Sequence, residues 1–405
     1  MLRVSTATMY NDSSSQMTQR QAEVVAVQQQ LGSGLRINFP SDDPVGAGQA
    51  VTLDATVAQF GQYKANQSAA TNMLSAGEST MQSFIDALQG ARESMVQAGN
   101  ASLSDNERSM IATSLQGALQ QMVGLANTGD GAGGYLFAGS KDGAAPFTAV
   151  GNSVSYNGDS TGRSLDVSSG RQLQVKYTGD DLFMNIKPGN GTFVTSAGNS
   201  NTGSGVIDPG VVTNPAAVTG HGYSIAFGGT ASAPTYTVTD TTTGSAVTGM
   251  SNVAYSNPSS ISFDGIQVGI SGTPAAGDTF TVAPAGNQSI FDTMKQAIQT
   301  LQNPASTAAG KAVYQASYNS VLSSMDQALS HLSLKIATYG TQLNAVDAYG
   351  TVNQQATTDA QAQLSSVRDL DYAQAATQLS QKQMSYQAAL QSYSMVSKLS
   401  LFNFL

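Results

Sequence analysis

Cysteine and tryptophan are absent from this chain, histidine occurs twice, and Asp, Glu, Lys and Arg together make up only 11% of its 405 residues. Without Cys there is no disulfide framework and no thiolate cluster for zinc, so stability has to come from packing. The charged content is less than half of the roughly 25% usual in globular chains. Solvent-facing positions are filled instead by Gln, Ser, Thr, Asn, Ala and Gly, which are far cheaper to desolvate against a neighbouring subunit than charges are. A net charge of −9 with no basic run excludes general affinity for nucleic acid. The start, Met1-Leu2-Arg3-Val4-Ser5-Thr6, lacks the apolar core of a secretory signal, and no run reaches the ~18 apolar residues that span a bilayer. Neither a cleaved signal peptide nor membrane insertion is expected.

Motifs for chemistry are scarce as well. Neither His221 nor His331 is accompanied by a G-x-S-x-G elbow, and H-E-x-x-H, P-loop and EF-hand patterns are missing. No catalytic, cofactor-binding or metal-binding residues are expected, and the chain is not read as an enzyme. The adjacent carboxylates Asp42 and Asp43 raise the idea of a metal or general-acid pair. Followed by Pro44, the pair is better explained as a turn and a helix start, with an acceptor at the N-cap and Pro in the first helical position. A formal G-x-G-x-x-G at residues 129–134 follows a helix and opens a strand, the reverse of a dinucleotide fingerprint, and reads as the turn glycines of a hairpin. Tyr156, Tyr223 and Tyr236 are the candidates for a carbohydrate-binding surface.

What the chain does have is a seven-residue apolar repeat. Tyr318, Met325, Leu332, Tyr339 and Val346 form one series and Leu322, Leu329, Ile336 and Leu343 a second, read together as the a and d positions of one long helix. Leu53, Phe60, Leu74, Met81, Leu88 and Met95, interrupted by Gln67, predict a helix from Pro44 to about Ala98. Ser104-Asp105-Asn106-Glu107 is a capping box opening a helix that turns Ile111, Leu115, Leu119, Met122 and Ala126 inward. Ile290, Phe291, Met294, Ile298 and Leu301 share a helical face with Pro304 beyond it, and Gly350 marks a bend. At the two ends of the chain, Tyr10, Met17, Val24 and Leu31 are seven apart on a thin helix over about residues 5–32 that Gly34 can cap. Tyr372, Leu379, Tyr386 and Tyr393 repeat the same spacing, flanked by Ala376, Leu390 and Val396. The two seams match in length and read as mates, marginal alone because helices gain most stability from packing.

Residues 148 to about 286 change to Gly, Thr, Ser and Asn with short alternating runs, which predicts antiparallel β structure inserted between helical segments. The fold class is therefore mainly α, a discontinuous long-helix bundle and coiled coil built from N- and C-terminal segments, with an inserted antiparallel β domain.

Several motifs resemble one family. Leu31-Gly32-Ser33-Gly34-Leu35-Arg36-Ile37-Asn38 followed by Asp42-Asp43 is similar to the N-terminal signature of bacterial flagellins, and Pro44 after the Asp pair resembles the variant in hook-associated protein 3, the hook-filament junction type. Gly134-Tyr135-Leu136-Phe137-Ala138-Gly139, Asp371-Tyr372-Ala373 and the ending Lys398-Leu399-Ser400-Leu401-Phe402 resemble the same family, in the same order. The resemblance covers about residues 1–147 and 287–405. It implies a terminal coiled coil from 1–40 with 365–405, a helical bundle from 41–147 with 287–364, and an outer β domain at 148–286. It also implies own copies in a junction ring, the other junction protein and flagellin as neighbours, an export chaperone on the C-terminal region, and type III export to an extracellular flagellum. Two other readings stay open: a filament flagellin, and an axial protein whose β insertion carries adhesive or enzymatic activity.

Overall fold

In the computed structural model the described residues are 6–100, 102–303 and 306–398; the expected Pro304 stop and the Leu401-Phe402 ending lie outside them. The chain forms two compact units, residues 1–66 with 348–405 and residues 67–347. The helices are α1 (Thr6–Ser33), α2 (Pro44–Ala98), α3 (Asp105–Ala126), α4 (Ile290–Gln302), α5 (Ala308–Arg368) and α6 (Tyr372–Lys398). Their starts obey the side chains that precede them. Asp43 Oδ1 accepts the Gly46 N–H at 2.9 Å at the head of α2, and Ser104 and Glu107 cap each other's backbone at α3. Ser289 does the same for α4 through Asp292, and Asp371 for α6 through Ala373 and Gln374.

Within residues 67–347, α2 buries Ala70, Leu74, Gly77, Met81, Phe84, Leu88, Ala91, Met95 and Ala98, alternating steps of four and three. Gly77 is required there, because a Cβ would stand 2.6 Å from the ring of Tyr339 on α5. Gln67 fits the same face by donating from Nε2 to the Val167 carbonyl at 2.7 Å. On α5, Tyr318, Met325, Leu332, Tyr339 and Val346 are all buried, and the series continues at Asn353 and Ala360. The second expected series needs correction. Leu322, Leu329, Ile336 and Leu343 are only half-buried, and Val321 and Ala328, one residue earlier, take the inner positions. Gly77 on α2 and Gly99 just past its end leave room for Tyr339 and Tyr318 of α5. Gly350 does not end the helix; α5 runs through it, since a single helical glycine costs only ~1 kcal/mol.

Around Phe183, on the single wide helical turn Asp180–Met184, gather Phe84 (ring centroids 4.5 Å apart), Phe137 (5.4 Å), Phe147 (5.7 Å) and Phe291 (6.1 Å). The glycine-rich stretch near it opens no strand. Gly129 bridges Tyr135, Asp130 Oδ1 accepts the N–H of Ala132 and Gly134 at 2.9 Å each, and Leu136, Phe137 and Ala138 are buried in irregular backbone. Buried Lys176 donates to Asp130 at 3.1 Å and Asp142 at 3.2 Å. Burial pushes the Asp130 carboxyl up, but the two N–H donors and Lys176 outweigh it and hold it below the usual range.

The inserted segment carries fourteen antiparallel strands among the described residues. β1 (Phe147–Val150) pairs with β2 (Ser153–Tyr156), and β3 (Arg163–Ser168) with β4 (Arg171–Lys176). The remaining strands are β5 (Phe193–Ala197), β6 (Val206–Ile207), β7 (Val211–Val212), β8 (Tyr223–Thr230), β9 (Ala233–Asp240), β10 (Ser245–Ala246), β11 (Val253–Ala254), β12 (Ser259–Phe263), β13 (Ile266–Ser271) and β14 (Thr279–Pro284). One sheet runs β10-β9-β8-β14-β5 with β11 beside β9; the other runs β12-β13-β6 with β7 also on β13. Asp264-Gly265, both at positive φ, makes the two-residue turn that fixes the β12–β13 register. The sheets enclose Ile225, Phe227, Val238, Ile261, Val268 and Phe280, and Ala316 of α5 joins that core.

Candidate assembly site

The terminal seams do come together. Three ties set α1 and α6 antiparallel. The Tyr10 and Tyr393 rings are 5.4 Å apart, Lys382 Nζ donates to Glu23 Oε2 at 2.8 Å, and the Tyr372 hydroxyl lies where a Cβ on Gly34 would meet it at 2.9 Å. Gly34, at φ +73°, closes α1 by donating to the Gln30 carbonyl at 2.9 Å. Glu23 also accepts from Arg20 at 3.2 Å. Lys382 chiefly, with Arg20 adding to it, holds the Glu23 carboxyl below its ordinary value against the opposing effect of burial.

Cover between the helices is thin. Met17, Val24 and Leu31 are half-buried, and Val27 is the one buried residue of α1 among those described. On α6 the inward face runs Ala375, Leu379, Lys382, Tyr386, Ala389 and Tyr393, with only Ala375 buried. Tyr10 and Tyr372 remain half or more exposed despite their contacts. Two expectations are corrected. Ala376 is exposed while its neighbour Ala375 is buried, and Leu390 lies outward, about 100° around the helix from Ala389. The side chain of Val396 lies outside the described residues.

The residues of the Arg36–Pro44 motif meet the other end of the chain. Leu35 bridges Asp369, Leu370 N–H donates to the Gly34 carbonyl at 3.0 Å, and Arg36 donates to the Val367 carbonyl from Nε and Nη2. Arg36 Nη1 rests on Asp43 at 3.2 Å. The Gly46 N–H, then Arg36, keeps the Asp43 carboxyl ionised below the usual carboxylate range. Asp42 Oδ2 takes the N–H groups of Asn38 and Phe39, so the paired carboxylates serve a turn and a helix cap. The turn and cap roles of Asp42, Asp43 and Pro44 are the ones their spacing predicts, whereas sequence reasoning singles out Arg36 without a role, because its partner Val367 lies 331 positions away.

The other candidates are structural. Tyr223 and Tyr236 are buried in the sheet core, and the Tyr156 hydroxyl donates to the Phe137 and Asp159 carbonyls, so these tyrosines form no carbohydrate platform. His221 Nδ1 is 2.7 Å from Asp240 Oδ2, whose Oδ1 holds the N–H of Thr242 and Thr243. His331 Nε2 lies 3.1 Å from the Asp181 carbonyl, and burial lowers its pKa. Among the described residues no helix is long and apolar enough to cross a membrane.

Residues 4–142 match the bacterial flagellin N-terminal helical region, and residues 196–284 match the D2-like domain of flagellar hook-associated protein 1. The flagellar hook-associated protein 3 of Legionella pneumophila superposes with a TM-score of 0.75 at 31% identity, over 78% of this chain and 98% of that one. The chain belongs to the flagellar hook-associated protein 3 family. A second crystal structure in that family, of the flagellar junction protein FlgL from Legionella pneumophila, gives a TM-score of 0.71 at 32% identity over 79% of this chain and 99% of its own. Hook-associated protein 3 of Salmonella typhimurium is 40% identical over 185 residues, 46% of this chain and 58% of that relative's length. The family's mainly helical architecture with a central antiparallel β domain is the one described above.

Proposed function

We propose that this protein is a structural part of the bacterial flagellum that joins hook to filament and acts without catalysis. Copies of the chain form a short junction ring between the other junction protein, on the hook side, and flagellin. Residues 1–40 with 365–405 form the inner coiled coil, 41–147 with 287–364 the bundle around it, and 148–286 the outer domain. Export proceeds through the flagellar type III channel without a cleaved signal, with a chaperone on the C-terminal region until assembly.

One observation carries this reading. Among the described residues, large apolar side chains left exposed concentrate in the unit built from the chain ends. Met9, Tyr10, Val25, Phe39, Val45, Val51, Val352, Tyr372, Met384, Leu390 and Met395 belong to it, against Val96, Met110, Val150, Val211 and Leu334 in the larger unit. A monomer does not leave that much apolar surface in one unit unless something else covers it. Membership of the hook-associated protein 3 family supports neighbouring subunits of an axial structure as that cover. The test is electron microscopy of a strain deleted for this chain. Hooks without filaments are expected; filaments of normal or altered shape still attached to hooks would overturn the junction role.

A further inference from the structure

The last carbonyls of an α-helix find no partner inside it and must be capped from elsewhere. At the end of α5, Asp369 N–H still closes on the Ser365 carbonyl at 2.9 Å, but the chain turns at Leu370 and leaves the carbonyls of Val367 and Arg368 facing out. Both are taken by a single residue from the opposite end of the sequence. Arg36 Nε and Nη2 donate to the Val367 carbonyl at 3.1 and 2.5 Å, and the Arg36 backbone N–H donates to the Arg368 carbonyl at 2.7 Å. The remaining guanidinium edge is held by Asp43, the N-cap of α2. Between the last α5 bond at Asp369 and the Asp371 cap of α6, the turn is therefore held by residues 34–43, through Arg36 and the Gly34 carbonyl.

We propose that Arg36 is the positioning residue of the terminal helices: it caps α5 in place of a local C-cap, so that the start of α6 is ordered only while residues 34–43 are seated. The two ends of the chain then order together, rather than as two independent tails. The planar fork of Arg suits this place, since one edge grips a carbonyl while another meets a carboxylate; a Lys ammonium is a single point that cannot do both in these directions. The half-exposed setting keeps each bond modest in strength, so the device orders a joint without fixing the whole fold.

Amide hydrogen exchange on the full chain in dilute solution tests this, with wild type, R36A and R36K compared. In R36A the amides of residues 365–378 exchange about tenfold faster, the loss of charge-assisted bonds at a helix end, and those of residues 193–284 are unchanged. R36K stays closer to R36A than to wild type. Exchange over 365–378 within twofold of wild type in R36A, full rescue by Lys, or an equal rise across 193–284 would each overturn the proposal. If R36A does not fold, D43N replaces it. That change frees one edge of the guanidinium while its amide oxygen still caps α2, and a smaller rise confined to 365–378 is expected; no rise there overturns the proposal. The proposal rests on the reading of α6 as an assembly helix only for its consequence. Exchange is measured without assembly, so its failure and that of the deletion-strain experiment are told apart.

Discussion

Helices α1 and α2 carry the same seven-residue repeat and meet different fates. Between residues 70 and 98, α2 buries its entire face, with Leu74, Met81, Phe84, Leu88 and Met95 wholly out of solvent. Over its described length α1 buries Val27 and leaves Tyr10 half exposed. The partner faces explain the difference. Against α2 stand Tyr339 and Tyr314 of α5 together with the phenylalanine cluster around Phe183, whereas against α1 stands one helix, α6, whose own inward face alternates Leu or Tyr with Ala and a Lys. Periodicity therefore states which side of a helix wants cover and says nothing of whether the same chain supplies it.

The contrast is open to attack from both sides, and the largest effect belongs to the covered one. Phe183→Ala opens the aromatic hub, and a loss of about 3–5 kcal/mol is expected from denaturant unfolding, as for other buried Phe truncations. A loss below about 1 kcal/mol would mean that the cluster is not the core. Next comes Gly77→Val, whose side chain must enter space held by Tyr339; about 1–3 kcal/mol of destabilisation is expected. Gly32→Ala on α1 is its control, since nothing lies within 4 Å of the added carbon, and unchanged or slightly higher helicity by circular dichroism is expected. Equal losses at the two glycines would erase the distinction drawn above.

Leu379→Asp or Tyr386→Asp tests the uncovered side. Unfolding of the larger unit should shift by less than about 0.5 kcal/mol, as for substitutions remote from a core, while motility is lost because a second carboxylate enters a face whose cation, Lys382, is already paired with Glu23. Wild-type swimming of both variants would contradict the proposed seam. The smallest effect is at Glu23. Its folded pKa lies below the ordinary 4.5, so its contribution is present above that value and lost as pH falls through the depressed one. Terminal helicity should drop slightly in that acid window, and Glu23→Gln should flatten the change. An unaltered acid profile in the variant would remove the Lys382 tie from the account.

Much of this was legible in advance, and the misses share a cause. The seams at 10/17/24/31 and 372/379/386/393, the capping box at Ser104 and the cap at Asp43 are local facts, set by spacing and by side chains a turn away. The alternating runs from Ser153 to Val282 all became strands. Missed were the shift of α5's second row to Val321 and Ala328, the slot that Gly77 leaves for Tyr339, the buried Lys176 between Asp130 and Asp142, and the partners of Arg36. Each involves residues far apart in the chain.

By itself the sequence determined the helices, their apolar faces and the near-absence of charge on them, because those follow from 3.6-residue geometry and from the chemistry of single side chains. Tertiary structure alone decided which of those faces the chain covers. Burial depends on where a second element happens to lie, and no local pattern at Arg36 or Tyr10 encodes the position of residues more than three hundred places away.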